Sequence, residues 1–410
     1  MLLRARIVLP ISSPPIEDGG VLISGNRITA VGRWTDFSHA STAKVVDLGS
    51  VALLPGLVNA HCHLDYTDMV GQPPPKQFPE WIKGLLARKA GASYADYAQA
   101  WLRGASMLLR TGTTTLADIE AVPELLPDVW SSTPLRVISF LEMTGVQSRR
   151  DPDKIVEEAA AKITSLKSDR KSAAFSPHAL YSTTPALLRT AGKVASDHHR
   201  RVSMHVAESI EEFDMYARGG GLLFDWLKNQ RDMSDCGQCT PLEQIHRQGL
   251  LNERFLAVHA NYLETPDIAT LARTQSSVVH CPRSHVYFRH RPFPYQALAS
   301  AGVNVCLGTD SLASVLPTRT GVELNMFTEM QTFSSANPEV APEEILRMAT
   351  LHGARALGMQ ESVGEIAPQR AADLIAVPYS GSVAEVQAAV VQHRGDVSAA
   401  MINGKWERGP

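Results

Sequence analysis

Cysteine, aromatic residues and charge of one sign are all scarce in this 410-residue chain. The five cysteines are odd in number and thinly spread, which is not the pattern of a disulfide framework. Cys236 and Cys239 form a Cys-x-x-Cys, but no second pair follows, and a structural zinc needs four ligands. They read as two thiols in a polar connection. Lysine plus arginine (39) nearly balance aspartate plus glutamate (42), leaving a formal net charge of −3. Such a chain has no global attraction to nucleic acid or to an anionic membrane surface, so neither is expected as a partner. No apolar run approaches the ~20 residues that span a bilayer. The opening Met-Leu-Leu-Arg-Ala-Arg also lacks the long apolar core of a signal peptide. A cytoplasmic protein is expected.

Hydrophobic residues, by contrast, make up 44% of the chain, enough for a large core and too many for disorder. The length suits two or three ordinary domains, or one large barrel with an addition. Over the first 50 residues, short apolar runs at 4–9, 20–24 and 27–31 are spaced like strands, with Gly25-Asn26 as a hairpin turn. The chain's last stretch repeats this rhythm, with strands expected at 372–377 and 397–403 and a tight turn at Asn403-Gly404. The two ends can pair into one β unit. The middle alternates strands with helices. Strands are expected at 56–60, 113–118, 135–141, 172–176, 202–205, 255–259, 277–280 and 303–307, and helices at 94–110, 153–167 and 185–198, among others. Eight such units predict a (β/α)₈ barrel, a TIM barrel of the α/β class, over 56–362. A small β-sandwich is expected from 1–55 plus 363–410.

Polar residues collect at the expected strand ends. His61 and His63 close the first strand; two residues apart on an extended segment, they point to one side and can reach one ion. Glu142 follows the third strand, His178 the fourth, His205 the fifth, His259 the sixth, His280 the seventh and Asp310 the eighth. The C-terminal ends of the strands form the active face of such a barrel. A single buried histidine is usually a hydrogen-bonded core residue, but core packing does not call for this whole series.

Four segments are the most specific: Pro55-Gly-Leu-Val-Asn-Ala-His-Cys-His-Leu64, His205-Val-Ala-Glu208, Leu307-Gly-Thr-Asp-Ser311 and Gly364-Glu-Ile-Ala-Pro-Gln-Arg-Ala-Ala-Asp-Leu374. With them the chain resembles the amidohydrolase superfamily, in its deaminase and chlorohydrolase branch, nearly end to end. The resemblance implies a distorted barrel flanked by a β-sandwich from both chain ends. It implies one divalent metal ion held by His61, His63, His205 and Asp310, with Asp310 also touching the catalytic water, Glu208 as proton shuttle, His259 polarising the water and His178 meeting the substrate. Zinc is the default, and iron or manganese tolerate the same donors. Metal coordination lowers the pKa of water from ~15.7 toward about 7, and a carboxylate can carry the protons that attack and departure require.

The expected reaction is hydrolytic deamination of an aminated aromatic heterocycle or nucleoside-like small molecule. Chlorohydrolase or cyclic-amide hydrolysis would use the same site, and a catalytically silent binding scaffold is the non-enzymatic alternative. The segment 65–80 is longer than an ordinary connection and could serve as a lid; Asp65 and Tyr66 lead along it to Trp81. Trp81 either stacks on a flat substrate or is buried with Leu85 and Leu86 on an amphipathic helix. Glu142 either binds a polar substrate edge, caps a helix or bridges a second metal. The seventh-strand motif His280-Cys-Pro-Arg-Ser-His285 departs from the commoner His-Cys-Pro-x-Ser-Asn. With Phe78-Pro-Glu-Trp81 this variant resembles aminodeoxyfutalosine deaminases, while the chain as a whole also resembles S-adenosylhomocysteine deaminases. Arg283 either meets a substrate carboxylate or pairs with a structural acid. His198, His199, His246, His290 and His393 read as solvated or boundary residues. The oligomeric state is open, a homo-oligomer included.

Overall fold

The computed structural model describes residues 1–37, 43–71, 73–146, 150–318 and 321–410. The chain opens with β1 (Leu2–Val8), β2 (Ile16–Ser24), β3 (Arg27–Arg33), β4 (Val45–Asp47) and β5 (Val51–Pro55). It then lays down β6 (Leu57–Cys62), β7 (Thr113–Glu120), β8 (Arg136–Met143), β9 (Lys171–Pro177), β10 (Val202–Val206), β11 (Phe255–His259), β12 (Ser277–His280) and β13 (Val305–Leu307). It ends with β14 (Leu374–Pro378), β15 (Ala399–Ile402) and β16 (Lys405–Arg408).

β6 to β13 form one parallel sheet in sequence order, with helices between the strands. The two ends meet where the Asp310 N–H donates to the His61 carbonyl at 3.1 Å. Asn59 stitches this seam: its Nδ2 donates to Thr309 Oγ1 at 2.8 Å, and its Oδ1 accepts from the Thr309 N–H at 3.0 Å. The strands approach so closely here that a Cβ on Gly308 would lie 2.8 Å from the His61 carbonyl oxygen, so only glycine fits. Side chains alternate across the strands as the pleat requires. Val58, Ala60, Ala117 and Ile119 pack inside the barrel, and Leu57 and Leu116 pack outward with the helices.

The second sheet runs β16-β15-β14-β5-β1-β2-β3, with β4 on β1. Opposite ends of the chain pair in it: β14 lies antiparallel to β5 from Leu374↔Pro55 to Pro378↔Val51. Gly25-Asn26 and Asn403-Gly404 make the expected turns, and Asn403 and Gly404 both have positive φ, 54° and 76°. A buried pair ties the sheet to the barrel: Arg136 Nε donates to Asp373 Oδ2 at 2.5 Å, and Asp373 Oδ1 also accepts from the Asn403 N–H at 2.7 Å.

Strand β13 starts later than the sequence predicts. The Val303 N–H donates to the Leu298 carbonyl at 3.0 Å, which closes the helix Tyr295–Ser300 instead of extending the ladder. The helices Tyr94–Arg110 and Pro185–Asp197 fall on the predicted spans. Ser93 and Asp96 form a capping box at the start of the first.

Candidate metal centre and catalytic cleft

At the C-terminal ends of the strands lies a cavity of about 420 Å³. His63, Glu142, His178, His205, Glu208, His259 and Asp310 all line it, and so does Trp81 from the helix Phe78–Lys89. Ile82, Leu85, Leu86, Trp226 and Leu227 make its outer wall apolar. His61 sits fully buried beneath.

The imidazoles converge with Asp310 on one small volume. His63 Nε2 and His205 Nε2 are 3.3 Å apart. His61 Nε2 and His63 Nε2 lie 3.6 and 3.7 Å from Asp310 Oδ1. One donor atom each from His61, His63 and His205 lies within 4.8 Å of the others, and the same holds for His61, His259 and Asp310. Both ring nitrogens of His61 and Nε2 of His259 are buried without a hydrogen-bond partner. Orphaned polar atoms are costly, so a converging set of them marks a place for a ligand. The donor set, neutral imidazole with carboxylate, fits a divalent metal ion. Burial pushes His63 and His259 down to about 3 and His205 well below its ordinary value, so all three present lone pairs at neutral pH. His205 Nδ1 donates to the His178 carbonyl at 2.9 Å, which leaves Nε2 free to face the cluster. Asp310 is opposed by burial, but His61, His259 and His63 outweigh that and hold it well below the usual carboxylate range. Ser314 Oγ donates to Asp310 Oδ2 at 2.8 Å and fixes its rotation.

Local backbone supports this placement. Ala207, His259, Ala260 and Asp310 all adopt positive φ, between 47° and 67°, at the ends of β10, β11 and β13. Each costs a non-glycine residue roughly 1–2 kcal/mol, and such strain gathers at functional sites. Glu208 Oε1 lies 3.7 Å from His259 Nε2, and burial raises its carboxyl well above the ordinary value. His178 Nδ1 is held by Ser182 Oγ at 2.6 Å.

One residue lining the cleft, Lys89, escaped the sequence. Lys89 Nζ donates to Tyr66 Oη and lies 3.9 Å from Glu142 Oε1. The Tyr66 ring stacks on His63 at 5.0 Å. The Glu142 carboxylate thus faces the cavity beside a lysine and caps none of the described helices. Trp81 is half-buried and lines the cavity, its Nε1 donating to the Ala313 carbonyl at 3.3 Å. Leu85 is buried and Leu86 exposed.

Some expectations need correction. Arg283 does not line the cleft: its Nε and its backbone N–H both bind the buried Glu329, at 2.5 and 2.9 Å, so a neighbouring helix takes up its charge. His280 stacks on Phe293 at 3.8 Å, outside the cavity lining. His290 is a half-buried boundary residue, as the sequence suggested: Tyr262 Oη lies 3.2 Å from its Nδ1, and its Nε2 is buried without a partner. Cys236 and Cys239 are free thiols next to Asp235 and Gln244. Of the segment 65–80, Gln72 lies outside the described residues, and Asp65 and Tyr66 are buried. No helix among the described residues is long and apolar enough to cross a membrane.

The chain is similar to known proteins. A 5-methylthioadenosine/S-adenosylhomocysteine deaminase of Moorella thermoacetica is 29% identical over 99% of this chain and 93% of its own length. An aminodeoxyfutalosine deaminase of Deinococcus radiodurans is 29% identical over 83% of this chain and 81% of its own. The crystal structure of an adenosine deaminase from Xanthomonas campestris with bound zinc superposes with a TM-score of 0.85 at 26% identity, covering 100% of this chain and 92% of that one. The amidohydrolase family model matches residues 52–406. The chain belongs to the amidohydrolase family.

Proposed function

We propose that this chain is a metal-dependent hydrolase that deaminates an aminated aromatic heterocycle in a nucleoside-like compound, releasing ammonia. The observation that carries this reading is the convergence of His61, His63, His205 and Asp310 with the buried Glu208 at the inner end of a largely apolar cavity. Relatives matching most of the chain are named as deaminases of adenosine derivatives. His61, His63, His205 and Asp310 would hold one ion, for which we propose zinc. When bound, such an ion supplies Lewis acidity and lowers the pKa of a water it coordinates toward about 7.

The remaining work falls to the protein's own groups. His259, neutral because of its burial, offers Nε2 as an acceptor to orient the attacking water. Glu208 takes a proton from that water and gives it to a ring nitrogen as the new C–O bond forms. It then moves the second proton to the amine, which leaves as ammonia when the C–N bond breaks. A carboxyl whose burial raises its proton affinity suits such a two-way transfer. His178 and Glu142 present polar atoms to the substrate edge, and Trp81 presents a flat apolar face.

The test is a panel of adenosine, 5′-methylthioadenosine, aminodeoxyfutalosine and an aminopterin with zinc-loaded protein. Ammonia should appear in step with product for at least one of them. Chloride release from a chlorinated triazine, or ring opening of a cyclic amide, with no ammonia from any panel member would overturn the deaminase reading. His259→Asn should keep the ion and lose rate; loss of the ion would make His259 a ligand instead.

A further inference from the structure

We propose that Asn261 and His285 are positioning residues for Glu208, acting through the peptide group of the residue that bears the carboxylate. The proposal rests on the reading of Glu208 as the proton carrier.

Glu208 lies two residues beyond the end of β10 and belongs to no strand or helix. The preceding Ala207 has φ 47°, so the ladder cannot continue through it. The direction of the Glu208 side chain is therefore set by whatever holds its own peptide groups. Four hydrogen bonds do so. The Ala207 carbonyl accepts from the Asn261 and Tyr262 N–H groups at 3.1 and 3.2 Å. The Glu208 N–H donates to Glu212 Oε2 at 2.9 Å. The Glu208 carbonyl accepts from Asn261 Nδ2 at 2.9 Å. Asn261 reaches this position because His259 and Ala260 are both left-handed, with φ 67° and 51°, and turn the chain back over the end of β10.

The side-chain amide of Asn261 has two ends of similar shape and opposite polarity. A carbonyl only accepts, so the end facing Glu208 is Nδ2. This leaves Oδ1 facing His285 Nδ1 at 3.0 Å. Oδ1 only accepts, so in this contact His285 is the donor, through Nδ1. Asn261 is 1% exposed, and no solvent competes for either end. The His285 ring is itself fixed between His280 and His290, with centroids at 5.2 and 5.4 Å. The result is a directed chain: His285 Nδ1–H to Asn261 Oδ1, then Asn261 Nδ2–H to the Glu208 carbonyl. It gives the unusual histidine of the seventh-strand motif a task at the centre, although that histidine does not line the cavity.

The primary variant is His285→Phe, which keeps a ring and removes the donor. In metal-loaded protein the turnover number should fall roughly 10-fold, short of the ~10²-fold that a 1 Å misplacement of a reacting group can cost. KM and bound metal should stay within about twofold of wild type, since the residue touches neither in this scheme. The decisive comparison places His285→Phe in the Glu208→Gln background. A residue that acts through the Glu208 carboxylate should cost nothing further there, whereas an equal loss in both backgrounds would overturn the proposal. A second measurement does not depend on catalysis. Nitrogen-15 NMR of the histidine side chains, with His285 assigned by its disappearance in His285→Phe, should show the Nδ1–H tautomer at neutral pH. The Nε2–H tautomer would sink the chain of donors even if no panel substrate releases ammonia, an outcome that would separately count against the deaminase reading.

Discussion

The terminal sheet and the open end of the barrel are both built from short apolar strands, but they treat polar groups in opposite ways. Among the described residues, no buried side-chain nitrogen or oxygen in β1 to β5 or β14 to β16 lacks a partner. At the barrel mouth, His61, His259 and Asp65 all have such atoms. The deeply buried charge pair that joins the terminal sheet to the barrel, Arg136–Asp373, has several hydrogen bonds around it. The mouth instead crowds imidazoles against Asp310 and Glu208, and bends non-glycine residues into left-handed backbone. One region satisfies itself and supports the fold; the other leaves groups unsatisfied for something else to complete.

The largest test of that contrast is removal of a mouth imidazole. His61→Ala should lose bound metal and activity together while far-ultraviolet circular dichroism stays native. Metal analysis after exhaustive dialysis should give a ratio near one ion per chain in the wild type. A reproducible ratio near two would break the mononuclear assignment and point to Glu142 as a further ligand. The reverse experiment is Asp373→Ala, which leaves Arg136 buried and unpaired. Stability should drop by about 3–5 kcal/mol in urea unfolding, with the turnover of the folded fraction nearly unchanged. A variant that unfolds normally but turns over slowly would show that the sheet reaches into the chemistry.

Glu208→Gln comes next. Turnover should fall by roughly 10²-fold or more at unchanged metal content, the usual scale of general acid–base catalysis. Near-normal turnover with full metal would remove Glu208 from the mechanism. The smallest effect concerns pH. Burial raises the Glu212 carboxyl to about 7, against the N–H groups of Glu208 and Ala207 that pull it down. An unfolded glutamate titrates near ~4.3. Below that value both states hold the proton. Between about 4.3 and about 7 only the native state holds it, so this group's contribution to stability falls as pH rises through that window. Glu212→Gln should therefore gain stability relative to wild type between pH 5 and pH 8 in urea titrations, and a constant difference would remove Glu212 from the account.

Much of this was legible in the sequence because period and position carry it. Strand β11 and the helix Tyr94–Arg110 match the predicted spans, and histidines at strand ends lie on one face by the geometry of any such barrel. What stayed hidden depends on partners chosen in three dimensions. Arg283 meets Glu329, 46 residues away, on a helix whose rotation no local pattern fixes. Lys89 reaches Glu142 only because the helix after β6 leans over the end of β8. Asn59 stands in the Pro55–Leu64 motif in plain view, but its task, joining the first and last barrel strands through Thr309, appears only on closure.

The pairing of β5 with β14 also has a consequence in time. Residue 55 finds its antiparallel neighbour at residue 374. At about 5–20 residues per second, a ribosome leaves that edge waiting roughly 15–65 s. Throughout that interval β5 offers unpaired backbone groups to any other extended chain. A shortened protein that stops before β14 would thus be expected to fail by sticking to its neighbours during synthesis, before the quality of its catalytic centre could matter.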